Sequence, residues 1–232
     1  IEEPTGHFLA FATRKGVIKK SNLSDYVKIN RNGKKAINLA ADDELVTVRS
    51  GTDEHNVVMV SNHGRACRFD LSSVRTQGRV SSGVRGIRLE DATLAGMILT
   101  NDIDTSVLTL SKQGMGKRTR LGKGEKIPTI RDGEQQYDED GVAKTEMDGY
   151  RVTKRGGKGV ITMNLNDGDV ISRVHQVPDL DDQLFLLSGK GVVIRISAVQ
   201  TKETSGRSSK GTRVMELRSK NKDSFTDELI FS

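Results

Sequence analysis

The sequence predicts an all-β fold, a propeller-like ring or arc built of four repeats, or blades, of roughly four strands each. Three observations carry this. A strand, a tight turn and a second strand recur without gaps as FLAFATRKGVIKK from Phe8, NVVMVSNHGRACR from Asn56, SVLTLSKQGMGKR from Ser106 and QLFLLSGKGVVIR from Gln183. A second signature follows each hairpin: GKKAINL from Gly33, GVRGIRL from Gly83, GVITMNL from Gly159 and GTRVMEL from Gly211. The hairpin glycines Gly16, Gly64, Gly114 and Gly191 stand 48, 50 and 77 residues apart, and a period of roughly 50 residues is the size of a propeller blade. A sandwich of similar short strands would not require two signatures in one order four times.

Each hairpin turn reads [ST]-x-x-Gly, with Thr13, Ser61, Ser111 and Ser188 three residues before the glycine. The hydroxyl is expected to bond nearby backbone, and the glycine to take the positive φ that a tight hairpin needs. In the second signature the fifth and seventh positions are apolar and the sixth polar, the alternation of a half-buried strand. The repeats run approximately over 7–54, 55–102, 103–179 and 180–232 of a single domain spanning 1–232. The third is long because of an acidic insert over 125–150. From Asp132 to Asp148 it holds seven acids, one lysine and no apolar period, which predicts a mobile loop competing for nearby cations.

The chain is 34% hydrophobic and 29% charged, which excludes disorder throughout. Its 37 Lys and Arg against 31 Asp and Glu give a net charge of +6 and a pI near 9.4, a balance that favours a polyanionic partner. Without residues 132–148 the chain carries 36 cations against 24 anions, so the basic character belongs to the blades. A single cysteine, Cys67, excludes an internal disulfide framework, and no 18-residue apolar run or leader-like N-terminus occurs. A reducing cytoplasm and no membrane association are therefore expected.

Four residues on from each hairpin glycine a cation recurs: Lys20, Arg68, Arg118 and Arg195. On radially arranged blades one register traces a stripe round the rim. A basic stripe on a curved edge is expected to track a phosphate backbone. Lys117 adjoins this column, and further cations gather at the second signature: Lys34 and Lys35, then Arg85, then Lys154, Arg155 and Lys158, then Arg207, Lys210 and Arg213. In the stretch TKRGGKG, from Thr153 to Gly159, the glycines Gly156, Gly157 and Gly159 are expected to let main-chain N–H groups approach phosphate oxygens. Lys154, Arg155 and Lys158 would neutralise those oxygens.

Nothing in the chain reads as catalytic. His7, His55, His63 and His175 are scattered, Cys67 lies in a predicted strand and no metal-ligand spacing occurs, so no catalytic residue, metal or cofactor is assigned. GKG at Gly122, Gly157 and Gly189 lacks the residues of a phosphate-binding P-loop. Asp179, Asp181 and Asp182 read as a polar turn rather than a cation site. A propeller serving as a protein-interaction scaffold is the rival from another class, and it would expose aromatic anchors. Three tyrosines and six phenylalanines leave few for that purpose.

The stretch CRFDLSSVRTQGRVSSGVRGIRL, from Cys67 to Leu89, is similar over its whole length to a blade of the C-terminal DNA-wrapping domain of the gyrase A subunit. That family is shared in modified form with the C subunit of topoisomerase IV. GMGKRT from Gly114 resembles the hairpin of a later blade, and the resemblance covers all four repeats, stopping at the acidic insert and the last dozen residues. It implies a β-pinwheel, a propeller-like ring whose blades exchange strands, with these repeats as the last four of six blades. It also implies binding and wrapping of duplex DNA round the rim without sequence preference. The wrapping would assist negative supercoiling by an ATP-dependent type II topoisomerase whose catalytic tyrosine and ATPase lie outside this chain. The implied partners are duplex DNA, the remainder of the gyrase A subunit, which in turn brings in the gyrase B subunit, in the cytoplasm at the nucleoid. The substrate-binding domain of a topoisomerase IV C subunit is the alternative. TKRGGKG matches the family's gyrase box, Q-R-R-G-G-K-G, at five of seven positions, but lies in the third repeat where the family carries the box in its first blade. Two blades before Ile1 are missing by this comparison, which implies a fragment or a shortened form.

Overall fold

The hairpins form where the turn chemistry places them. In the computed structural model, which describes residues 6–28, 31–204, 207–217 and 224–231, Phe8–Thr13 pairs with Val17–Asn22 and Asn56–Ser61 with Arg65–Asp70. Ser106–Ser111 pairs with Met115–Arg120 and Gln183–Ser188 with Val193–Ser197, all antiparallel. Gly16, Gly64, Gly114 and Gly191 lie at φ of 77 to 80°. The hydroxyls of Thr13, Ser61, Ser111 and Ser188 each accept the N–H four residues on, at 3.1 to 3.3 Å. At Gly64 a Cβ would stand 2.3 Å from the Met163 carbonyl oxygen, so close approach as well as φ requires glycine there.

Each of the first three blades then draws its strands from two repeats. The first sheet runs Leu45–Gly51, Phe8–Thr13, Val17–Asn22, Val84–Arg85, and its last strand belongs to the next repeat's second signature. Leu94–Thr100, Asn56–Ser61 and Arg65–Asp70 form the second blade, completed by Val160–Ile161 of the third repeat. In the third, Thr212–Arg213 of the fourth repeat joins Ile171–Val177, Ser106–Ser111 and Met115–Arg120. The fourth blade has three strands among the described residues, Phe225–Phe231, Gln183–Ser188 and Val193–Ser197. In three of the four second signatures the strand is the second and third residues, lent backwards: Val17 faces Arg85, Ala66 faces Val160 and Met115 faces Arg213. The fifth to seventh positions, read as a half-buried strand from their alternation, lie outside any strand, and the signature from Gly33 forms none. Leu45–Gly51, Leu94–Thr100 and Ile171–Val177 pack side by side at one edge of the sheets, so the lent strands line the opposite, outer edge.

The core lies between blades. Val57 and Met59 pack with Ala10, Ala12 and Ile18 of the first blade, while Val58 and Val60 pack with Val107, Tyr150 and Ile171 of the third repeat. Covered on both faces, NVVMVS is buried without alternation. Each such valine contributes about 1.5–3 kcal/mol by its burial. In the fourth blade Leu184 and Leu186 are buried while Phe185 and Leu187 are half-buried, the alternation of a sheet covered on one face.

The acidic insert is not the mobile loop its composition predicts. Lys126–Pro128 pairs with Thr145–Met147, Ile130–Arg131 with Glu134–Gln135, and Tyr137 bridges Ala143. Asp132 and Gly133, at φ of 52° and 83°, make the positive-φ two-residue turn that closes a tight hairpin. The neck is tied by the Tyr150 N–H to the Leu121 carbonyl at 2.9 Å and the Gly124 N–H to the Asp148 carbonyl at 2.8 Å. Backbone ladders hold the arm, and these leave no apolar period to read.

Candidate nucleic-acid interface

The cation column expected on the rim is buried in three of its four members. Lys20, Arg68 and Arg118 are each 3% exposed. Arg68 donates from Nη1 to the carbonyls of Leu121, Gly122 and Tyr150 at 3.1, 2.7 and 2.9 Å, and from Nε to Asn56 Oδ1 at 2.9 Å. Arg118 donates to the Thr201 carbonyl at 2.8 Å and to the Glu203 carboxylate at 3.2 Å. Lys20 pairs with Asp53 at 2.6 Å and lies over the Phe8 ring. Arg195 is exposed, with Nε on Gln183 Oε1 at 3.0 Å. A buried guanidinium must be matched by acceptors, and for Arg68 and Arg118 the following repeat supplies them. These two arginines therefore latch one repeat to the next, and the stripe expected at this register is corrected: Lys20, Arg68 and Arg118 are turned inward.

Lys117 is turned inward too. It is fully buried and donates to the Arg207 carbonyl at 2.5 Å and to Ser209 Oγ at 3.2 Å. Lys19, at the same register of the first hairpin, donates to the carbonyls of Ala36 and Arg79. In the second hairpin Cys67 takes that place, its sulfur 3.4 Å from Thr153 Oγ1 and 3.9 Å from the Lys154 carbonyl, and burial pushes its thiol pKa up. This register fastens the loop leading into each lent strand. Burial, with help from Arg207, pushes the Lys117 pKa down from 10.5 to about 8. The folded chain below pH 8 thus holds a buried ammonium at a cost, and that cost is relieved as pH rises from 8 to 10.5. Over that window the wild-type protein is expected to gain on the order of 2 kcal/mol relative to Lys117→Met, read as a pH-dependent gap between their urea unfolding curves. A gap that stays constant across the window would exclude it.

The outward cations sit on the loops at the seams between blades. Arg79, Arg155 and Arg207, which stand four residues before Gly83, Gly159 and Gly211, are half-buried and do not belong to that outward set. Lys158 and Lys210 immediately precede Gly159 and Gly211, and Lys35, Arg85 and Arg213 follow their glycines by two; all five are exposed. Lys34 is half-buried beside Lys35, whose ammonium reaches Asn38 Oδ1 at 2.8 Å. The repeat of charge that faces solvent is counted from the second glycine, not from the hairpin.

TKRGGKG bridges the first and second blades. The Thr153 N–H bonds the Arg68 carbonyl at 2.7 Å, the Gly156 N–H bonds the Gly86 carbonyl at 2.8 Å, and the Gly157 carbonyl accepts the Arg88 N–H at 2.9 Å. Arg155 donates to the Arg85 carbonyl at 2.5 Å. Arg65 donates to the carbonyls of Lys158 and Gly159, both at 3.1 Å. At Gly159, φ is 70° and a Cβ would stand 2.2 Å from the Ala66 carbonyl oxygen. Gly156 and Gly159 thus serve the seam, which corrects the expectation that the Gly156 N–H faces phosphate. What the loop presents outward is Lys154 and Lys158, and the exchange sets Arg65, Arg85 and Arg88, all exposed, around the same seam. Arg65 and Arg88 belong to no repeated register, so no pattern in the sequence points to them. Among the described residues no ion pair joins an insert carboxylate to Lys154, Arg155 or Lys158; Lys158 pairs with Glu90 instead.

Among the described residues no group of three His, Cys, Asp or Glu could hold a metal ion, and no helix is long and apolar enough to cross a membrane. The Asp181 N–H bonds Asp179 Oδ1 at 3.0 Å, as a polar turn does.

Four-stranded blades that borrow their outer strand from the following repeat, with a basic outer edge, define a propeller of the strand-exchanged, pinwheel class. The family model "DNA gyrase C-terminal domain, beta-propeller" matches residues 7–50, 55–101, 105–131, 141–178 and 182–224. The chain belongs to that family. The match breaks over 132–140, the far part of the insert. The DNA gyrase A subunit of Staphylococcus epidermidis is 32% identical over 214 residues, 90% of this chain and 21% of that protein. Its counterpart in Staphylococcus aureus is likewise 32% identical, over 220 residues, 93% of this chain and 21% of that protein. This chain therefore spans about a fifth of the length of these relatives. The C-terminal domain of DNA topoisomerase IV superposes with a TM-score of 0.79 at 20% identity, covering 99% of this chain and 63% of that one. A DNA gyrase A C-terminal domain gives 0.73 at 20% identity, covering 100% and 68%. Both solved structures share the fold.

Proposed function

We propose that this chain binds duplex DNA without sequence preference and bends it round the outer edge of the blades. It would do so for a DNA gyrase whose catalytic residues lie in the remainder of the gyrase A subunit together with the gyrase B subunit, in the bacterial cytoplasm at the nucleoid. One observation carries the reading: the loops at the three lent strands bring exposed cations, Arg85, Lys154 with Lys158, and Lys210 with Arg213, to the same outer edge, and Lys35 lies in the loop whose Asn38 N–H bonds the Ser81 carbonyl just before the first of them. Lysines and arginines on a sheet edge neutralise phosphates, which fixes register without reading bases. Bending a site of 20 to 30 base pairs by 40 to 90° costs roughly 1–6 kcal/mol, and many such contacts offset it. Membership of the gyrase family favours gyrase over topoisomerase IV as the host enzyme. Titrating the chain against unrelated duplexes at several salt concentrations tests the proposal. Log K is expected to fall with log salt by about 0.9 for each phosphate contacted, equally for every sequence. A flat dependence, or affinity confined to one sequence, would refute it.

A further inference from the structure

The seam between the first and second blades holds an anion of its own. Glu90 sits in the tight turn Leu89–Ala92, closed by the Ala92 N–H on the Leu89 carbonyl at 2.9 Å. Its φ is 56°, and Glu90 and Asp132 are the two non-glycine residues with positive φ among those described. Asp132 begins a hairpin turn where aspartate is common; glutamate has no short side chain to bond its own backbone, so the surrounding fold holds Glu90 in place. From there its carboxylate accepts from Lys158 Nζ at 2.7 Å and lies 3.9 Å from Arg88 Nε. The hydrogen bond and charge of Lys158, with a smaller effect of Arg88, hold the Glu90 carboxyl below the usual carboxylate range. All three side chains are open to solvent, at 54% for Lys158, 52% for Glu90 and 58% for Arg88. The backbones beneath the cations are fixed, since Arg65 bonds the Lys158 carbonyl and the Arg88 N–H bonds the Gly157 carbonyl.

An ammonium and a guanidinium converging on one carboxylate, on an exposed edge, is a geometry that a phosphate oxygen satisfies equally well. We propose that Lys158 and Arg88 form a phosphodiester subsite, which the Glu90 carboxylate fills in the free protein and a DNA phosphate takes over in the complex. The inference rests on the DNA-binding reading above. The intramolecular carboxylate is always at hand, so a lone phosphate competes poorly for the subsite. A duplex held at other seams displaces it, because its phosphates then arrive at high effective concentration. Glu90 therefore restrains the affinity of the seam until DNA follows the curve of the edge.

The experiment compares wild-type chain, Glu90→Gln, Asp91→Asn, Lys158→Gln and the Glu90→Gln/Lys158→Gln double variant on one duplex of arbitrary sequence across a salt series. Glu90→Gln is expected to tighten binding at low salt by about two- to fivefold for each ion pair it releases. The salt dependence should stay close to that of the wild type, because the same phosphates are contacted in both complexes. Asp91 carries the same charge one residue on, but is 89% exposed and faces His63 at 3.8 Å, so Asp91→Asn is expected to change affinity less than about twofold. In the Lys158→Gln background the gain from Glu90→Gln should shrink by at least half. Asn is better suited to positive φ, so Glu90→Asn should tighten binding with its melting temperature kept, and it decides the matter if Glu90→Gln folds poorly. Unchanged or weaker binding by the Glu90 variants, or equal tightening by Asp91→Asn, overturns the subsite while DNA binding stands. A wild-type chain that does not bind duplex overturns both.

Discussion

Replacing Arg68 with methionine is expected to lower the stability of the domain by about 3–5 kcal/mol. The side chain is 3% exposed and matches three carbonyls and an amide oxygen, those of Leu121, Gly122, Tyr150 and Asn56. Methionine fills similar volume but donates nothing, so the Gly122 and Tyr150 carbonyls and Asn56 Oδ1 lose their buried donor, while the Leu121 carbonyl keeps the Tyr150 N–H. Desolvation lowers the Arg68 pKa, with Asp70 and Asp148 working against it; the guanidinium stays charged, and its loss removes charge-assisted bonds rather than neutral ones. For a domain of this size the change corresponds to a fall in melting temperature of roughly 10 °C, measurable by circular dichroism. Arg68→Lys should recover part of it, since an ammonium can reach some of the carbonyls but not in a fork. If Arg68→Met melts like the wild type and loses DNA affinity instead, the column is a phosphate track after all.

The opposite pattern is expected of the seam. Changing Arg85, Lys154 and Lys158 together to glutamine should leave the melting temperature within a degree or two, because all three are exposed. The salt dependence of DNA binding should become shallower by about 0.9 for each phosphate no longer neutralised, and the affinity at low salt should fall roughly ten- to a hundredfold on every duplex tested. The bend measured by ligation or energy transfer should fall with it, because fewer cations remain to offset the cost of curvature. Arg155 is left out because its guanidinium staples the seam through the Arg85 carbonyl. Full affinity in the triple variant would move the DNA to another face of the molecule.

The hairpins are legible in the sequence because their turns impose chemistry at fixed positions: a hydroxyl to accept the N–H four residues on, and a glycine at positive φ. The lent strands are not legible as such. Val84–Arg85, Val160–Ile161 and Thr212–Arg213 pair over two residues each, too few to show a period, and only the resemblance to a known family implies the exchange. The cation column misleads for a physical reason. A latch between repeats demands one register as strictly as a rim does, so recurrence at Lys20, Arg68 and Arg118 reports that the position matters, not which way it faces. Alternation gives no warning either, because Lys19 and Lys20 are adjacent and both buried. In the insert the informative signal is two residues long, Asp132-Gly133, a hairpin turn set within a run of acids whose composition suggests no structure.

TKRGGKG is covalently part of the third repeat, hydrogen-bonded to the first blade through Gly86, Arg85 and Arg88, and to the second through Arg68 and Arg65. A bent duplex acts as a spring, and its recoil pulls outward on whichever lysines hold it. Tension applied at Lys154 or Lys158 enters this loop and divides among three elements of the chain instead of peeling a single hairpin from its end. Neighbouring hydrogen bonds then resist together, in shear, and none has to carry the whole force. The same arrangement ties the two blades together: under the proposed wrapping, a load at this seam would be shared by the sheets on both sides of it.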